Sequence, residues 1–319
     1  MTTSVARILV TGAGGFIGSH LVSRLSDEGA TIYCAVFPGR RIDPRISELP
    51  GVIPVAWSDS GAEGHQPISE TQPEVVVNLA AAGVSARERR VSTIVESNSE
   101  IVVKTLESVS NSRPSLFIHA GSWSEYRGRE DARPLTEKDA IEPCSLYGAA
   151  KASAAFTGTS LARVLGIPFI SLRLFNVYGV GESSERLVPS VIRALRKSRP
   201  VELTHGRQVR DFTYVTDIVG AITLATQSDL EPYTAYNVCS SRPRSVRSVA
   251  ERIAHILDRP KSFLRFDSLP SRDDEPLSVV GDNTRFVTAT GWQPQVDLDD
   301  GIRRMVDHCN EQASDEVEQ

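Results

Sequence analysis

The chain has 319 residues, 40% of them hydrophobic and 24% charged, with a formal net charge of −5. That length buries a full core in one large domain or two unequal lobes, and the acidic balance argues against nucleic acid as a partner, because such sites are basic. Cys34, Cys144, Cys239 and Cys309 are widely spaced, without a Cys-x-x-Cys pair or a histidine cluster, which argues for reduced thiols in a cytoplasmic protein and against a zinc or other metal site or a disulfide framework. The start carries no apolar signal core, and no run reaches the roughly 18 apolar residues of a membrane span.

In chain order, the first β-rich run is Arg7–Thr11, and it enters Gly12-Ala-Gly-Gly15-Phe16-Ile17-Gly18. Glycines in this spacing, after a strand and opening a helix, permit a tight turn and let backbone N–H groups approach a dinucleotide pyrophosphate at the helix N-terminus; a glycine-rich turn without a ligand is the bland alternative. Helical spacing follows at Ile17, Leu21, Val22 and Leu25. The second strand, Thr31–Phe37, leads into Pro38-Gly39-Arg40-Arg41. An enzyme using NAD usually carries an acid there to grip the ribose diol. Here it is missing, and a guanidinium fork at Arg40 or Arg41 suits a 2′-phosphate, so NADP(H) is expected in preference to NAD(H). The competing reading leaves both arginines on a solvated loop. A third strand, Val52–Val55, precedes Asp59, a candidate for the adenine amino group.

Further strands are expected at Val75–Leu79, Leu116–Ala120 and Phe169–Arg173. Their nearly continuous apolar character suits parallel strands covered on both faces, and the alternation with helical segments predicts an α/β, Rossmann-type doubly wound sheet. Ser122 follows the fifth strand. Tyr147 and Lys151 stand four residues apart, on one helix face. A free tyrosine near pKa ~10 is a poor acid–base group at neutral pH, and a nearby ammonium is expected to lower it. Lys151 is also placed to hold a nicotinamide ribose, and Ser122 to hydrogen-bond a substrate oxygen. Taken alone, Tyr-x-x-x-Lys is usually a solvated helix face; downstream of the glycine loop it argues for hydride chemistry on a carbonyl or alcohol.

After about residue 177 the regularity breaks. Leu187–Lys197, Val246–Leu257 and Gly301–Cys309 read as helices, Val201–Leu203 and Phe212–Val215 as short strands, with a Pro-rich charged loop at Leu269–Pro276. This half is expected to form a smaller α/β lobe over the sheet's carboxyl edge. The division is then 1–176 plus about 212–240 for the dinucleotide-binding domain, about 177–211 and 241–311 for the substrate lobe, and 312–319 as a flexible tail.

Taken together, Thr11-Gly-Ala-Gly-Gly-Phe-Ile-Gly18, Asn78-Leu-Ala-Ala81, Ser122, Tyr147-Gly-Ala-Ala-Lys151, Arg173-Leu-Phe-Asn-Val-Tyr-Gly179, Arg210-Asp-Phe-Thr-Tyr-Val-Thr-Asp217 and Gly291-Trp292 resemble the extended short-chain dehydrogenases/reductases of the nucleotide-sugar epimerase/dehydratase branch over nearly the whole chain. The resemblance implies that Ser122, Tyr147 and Lys151 form a catalytic triad, that Ala80 and Ala81 line the cofactor groove, and that Asn98 is structural. It implies that Asn176 touches a sugar diphosphate, that Arg210 and Arg272 clamp its pyrophosphate, and that Leu187 and Val188 abut the base. Where sugar 4,6-dehydratases carry aspartate then glutamate after the catalytic hydroxyl, this chain has Trp123 and Ser124, with Glu125 one place further on and pointing elsewhere; dehydration is disfavoured. A 4-ketoreductase of a nucleotide-diphospho-4-keto-6-deoxyhexose is expected, in which Trp123 and the other residues above contact the sugar nucleotide. A 4-epimerase with tightly held NAD is the second reading, and a non-catalytic NADP-binding sensor a remote third. The resemblance also implies a homodimer through the helix of Tyr147 and Lys151, whose alanines permit close approach to a mate or to the protein's own sheet.

Overall fold

Apolar runs become parallel strands here because helices cover both of their faces. The computed structural model describes residues 6–37, 39, 41–57, 67–83, 90–271 and 275–318, with side chains as far as 311. The main sheet contains β1 (Arg7–Thr11), β2 (Thr31–Val36), β3 (Val52–Ala56), β4 (Val75–Asn78), β5 (Leu116–Ser122), β6 (Phe169–Leu174) and β7 (Thr234–Val238). Its order is β7-β6-β5-β4-β1-β2-β3, and every pairing is parallel. The strand order reverses at β1, which pairs with β2 on one side and β4 on the other. In such sheets ligands bind at that switch point, beyond the strands' carboxyl ends.

On one face, α1 (Phe16–Asp27) and α5 (Val215–Gln227) bury Leu21, Val22, Ile218 and Ile222 against Ile8, Val10, Ile118 and Ile170. On the other, α2 (Ile101–Ser108) and α3 (Leu146–Leu165) bury Val102, Leu106, Ala154 and Ala162 against Leu9, Val76, Phe117 and Phe169. Small residues on α3 let it lie close to the sheet. The helix preceding α2 contains a π-turn at Glu96–Glu100, and Asn98 within it is fully buried. Its amide donates to Ala82 O and Ile94 O at 2.8 and 2.7 Å, tying the helix to the loop after β4.

A separate hydrophobic cluster, called the second lobe below, packs α4 (Leu187–Arg196), α6 (Val246–Ile256) and α7 (Leu298–Glu318) through Val191, Leu195, Val249, Ile253, Ile302 and Met305. Two buried aspartates fasten it. The Asp211 carboxylate accepts from the backbone N–H of Ser240, Ser241 and Gly281. The Asp217 carboxylate accepts from Gln295 N at 3.1 Å and Val296 N at 3.0 Å, while its carbonyl accepts from Trp292 Nε1 at 3.1 Å.

Most element boundaries differ from the sequence reading by a residue, and three of the differences matter here. β5 runs two residues further, so Ser122 ends the strand instead of following it. The strand expected at Phe212–Val215 shrinks to Thr213–Tyr214, because Val215 already belongs to α5. The helix expected at Gly301–Cys309 extends over Leu298–Glu318: Asp299 and Asp300 suit its first turn, and no glycine or proline interrupts residues 302–319.

Candidate active site

The glycine loop sits at the switch point. Gly12 has φ +73°, and a Cβ there would meet Ala80 N at 2.7 Å. Gly18, in the first turn of α1, faces Gly12 O so closely that a Cβ would come within 2.1 Å of it. Gly15 is the N-cap, and its N–H donates to Gly12 O at 2.9 Å. Phe16 and Ile17 open α1, half-buried against the second lobe. Ala80 is buried and Ala81 exposed beside the loop. A cradle that side chains would fill, at the positive end of a helix, fits a dinucleotide diphosphate. Beneath it, Thr11 Oγ1 donates to Asn78 Oδ1 at 2.5 Å, and Asn78 Nδ2 meets His119 Nδ1 at 3.1 Å. Among the described residues no carboxylate stands at the end of β2; Phe37 lies against Trp57, with ring centroids 4.7 Å apart. Arg41 is exposed just beyond. Arg40, Asp59 and Arg272 lie outside the described residues.

Ser145 caps α3, accepting from Gly148 N at 3.0 Å, and so sets the turn on which Tyr147 and Lys151 are presented. Ser122 arrives on β5, and its hydroxyl caps the short 3-10 turn Trp123–Glu125, accepting from Ser124 N at 3.2 Å and Ser124 Oγ at 2.9 Å. The Ser122 hydroxyl acts on the Tyr147 phenol and favours its ionised form, so the two residues lie near one another. Tyr147 is half-buried; Lys151 is buried and donates to Ala120 O at 2.9 Å.

The electrostatics correct one expectation. Tyr147 is not lowered by Lys151: burial pushes its phenol up to about 12, against the Ser122 hydroxyl, with the Glu125 charge also raising it and Arg186 lowering it. The Lys151 ammonium is turned to the Ala120 carbonyl and lies 5.9 Å from the centre of the tyrosine ring. Burial pulls Lys151 down to about 8, opposed by the Glu125 charge.

Glu125 points into the protein, as its position in the turn implied. Oε1 accepts from Ser122 N at 2.7 Å, and Oε2 from Arg173 Nε at 2.8 Å. Both acceptor oxygens are therefore engaged away from the cleft. Trp123 is half-buried beside Ser122.

Two substrate-side expectations change. Val188 is 1% exposed inside the core of the second lobe, which leaves Leu187, half-buried at the start of α4, as the residue available to a base. Arg210 is held within the protein: it donates to Glu275 Oε1 at 2.8 Å and to Val209 O at 2.8 Å, because its buried guanidinium needs partners. Asn176 donates to Asp211 O at 3.2 Å. Sequence reasoning missed the parts played by Arg173, Arg186 and His119. For Arg173 a signal existed, an arginine inside an otherwise apolar strand; nothing local marked His119 or Arg186.

Residues 8–239 match the NAD dependent epimerase/dehydratase family. The probable UDP-glucuronate 4-epimerase of Rhizobium meliloti (strain 1021) is 27% identical over 94% of this chain and 96% of its own length. The CDP-abequose synthase of Salmonella typhimurium (strain LT2) is 24% identical over 96% and 99%. The structure of MoeE5 in complex with UDP-glucose and NAD superposes with a TM-score of 0.84 at 25% identity, covering 97% of this chain and all of that one. With a glycine cradle at the switch point and a Ser-Tyr-Lys cluster beside it, the chain belongs to the NAD dependent epimerase/dehydratase family.

Proposed function

We propose that this protein reduces the 4-keto group of a nucleotide-diphospho-4-keto-6-deoxyhexose, with NADPH as the preferred reductant. The observation that carries this reading is the engagement of Glu125. With Trp123 and Ser124 in the two preceding places and the Glu125 carboxylate spent on Ser122 and Arg173, the cluster retains groups for hydride chemistry but no carboxyl to expel water. A bound nicotinamide supplies the hydride to C4. Tyr147 then donates its proton to the C4 oxygen, Ser122 hydrogen-bonds that oxygen, and the phenolate left behind is reprotonated from solvent. A phenol held at about 12 carries its proton at neutral pH, which suits a donor in reduction better than a base that must start by accepting. The absent acid at the end of β2 and the exposed Arg41 support NADPH.

A 4-epimerase is the second reading, favoured by the relative named as a UDP-glucuronate 4-epimerase and by the neighbour bound to UDP-glucose and NAD. We also assign a homodimer to the α3 face, where Phe156 and Val164 are 60% and 82% exposed. The deciding assay supplies dTDP-4-keto-6-deoxyglucose with NADPH or NADH. Stoichiometric NADPH oxidation with a new C4 hydroxyl is expected, and Tyr147→Phe should lose at least about a hundredfold in turnover. Interconversion of UDP-hexoses by protein purified with bound NAD, without net oxidation of added NADPH, would overturn the reductase in favour of the epimerase.

A further inference from the structure

A buried polar chain runs from Ser122 across the sheet. Ser122 N donates to Glu125 Oε1 at 2.7 Å, and Arg173 Nε donates to Glu125 Oε2 at 2.8 Å. Arg173 Nη1 donates to Tyr126 Oη at 2.7 Å, and that hydroxyl donates to Asn237 Oδ1 at 2.8 Å. Asn237 Nδ2 in turn donates to Leu135 O at 2.9 Å. The chain therefore ties the end of β5 to β6, to β7 and to the loop at Leu135. Glu125 is fully buried, and the Glu125 and Arg173 side chains are 1% and 8% exposed. Burying an ion pair costs several kcal/mol in desolvation and is weak as a stabilising device. Replacing such a pair by apolar residues of similar volume is often neutral for stability, so the pair invites another explanation.

We propose that Glu125, held by Arg173, is a positioning residue for the Ser-Tyr-Lys cluster: it fixes the backbone of Ser122 and places a buried negative charge beside Tyr147 and Lys151. The inference rests on the proposed triad but concerns groups that no step of the reaction consumes. Two consequences differ from those of a merely structural salt bridge. First, the amide of Ser122 is held from the protein side, which fixes the end of β5 from which its hydroxyl acts on the Tyr147 phenol. Second, the carboxylate favours the ammonium form of Lys151 and opposes the phenolate form of Tyr147. Among the described residues, the other charged or titratable groups that act on the cluster are His119 on β5, Arg173 on β6 and Arg186 at the N-cap of α4. His119 is fully buried, and desolvation together with the Lys151 charge holds it well below its usual range, hence neutral. Arg173 spends its charge on Glu125 and Tyr126. Arg186 acts on Tyr147. Glu125 is thus the charge shared by the tyrosine and the lysine.

The test follows the side-chain nitrogen resonance of Lys151 against pH in isotope-labelled protein, assigned with Lys151→Arg. It needs no substrate, so a wrong reaction assignment does not disturb it. Glu125→Gln keeps size and one hydrogen bond but removes the charge; Lys151 should then lose its proton about tenfold more readily. Turnover of the 4-keto substrate should fall by at least about tenfold, in kcat more than in KM. Glu125→Gln combined with Arg173→Met removes both buried charges and leaves neither unpaired. It guards against misfolding of the single variant, and the Lys151 shift should persist in it. A Lys151 titration unchanged from the wild type in either folded variant overturns the proposal, whatever happens to turnover. Full turnover in Tyr147→Phe would instead refute the triad and leave this measurement standing.

Discussion

Replacing Gly148 by alanine tests how tightly α3 must lie against the turn that carries Ser122. Gly148 follows Tyr147, and its Cα faces the backbone of Ser124. A Cβ there would stand 2.1 Å from Ser124 O, 2.9 Å from Ser124 C and 3.1 Å from Pro143 Cβ. Ordinary contact begins near 3.4 Å, so the helix or the turn must give way by about 1.3 Å. The obstacle is backbone of the turn that follows β5, closed by the bond from Ser122 N to Glu125, so it cannot swing aside as a side chain would. The displacement falls between Tyr147 and Ser122, two groups that must address one oxygen. A misplacement of about 1 Å in such a geometry costs on the order of a hundredfold in rate. Gly148→Ala should therefore lose about two orders of magnitude in kcat. Gly220→Ala is the matched control. It lies exposed within α5 with nothing within 4 Å of the new methyl, so it should keep full activity and gain about 0.5–1 kcal/mol of helix stability. Full turnover in Gly148→Ala, with an undisturbed melting temperature, would refute the close approach on which the site geometry rests.

Lys151 makes stability depend on pH. Its folded value near 8 lies below the ordinary 10.5, so between those values the unfolded chain binds more protons and stability rises with pH. Lys151→Met should be more stable than the wild type below about pH 8, by up to about 3 kcal/mol; the gap should close by about pH 10.5, as followed by denaturant melts across that range. Asp217→Asn leaves one of two part-buried N–H groups, on Gln295 or Val296, without an acceptor, and should cost about 1 kcal/mol in urea unfolding. Under the NADPH reading, Arg41→Ala should raise KM for NADPH about tenfold and leave that for NADH unchanged; equal effects on both cofactors would remove Arg41 from the 2′-phosphate site.

Strand and helix identity in the first half was legible because parallel strands covered on both faces read as continuous apolar runs, and because glycine leaves a mark wherever backbone must approach backbone. The glycine loop and Tyr147–Lys151 were legible for the same reason: their spacing is local, set by one turn or one helix. The sequence also excluded a dehydration acid at Trp123 and Ser124, since side-chain chemistry needs no coordinates.

What only the tertiary structure decided depends on contacts between segments far apart in the chain. Glu125 meets Arg173 across the β5–β6 pairing. Arg210 meets Glu275 across the small sheet of the second lobe. Val188 turns inward because α4 packs on α6 and α7. Burial, which no spacing reveals, did most to raise Tyr147 and lowered Lys151 where a simple pairing argument pointed the other way. Local spacing states which groups a segment can present; the folded surroundings set their partners and desolvation, and through these their charge.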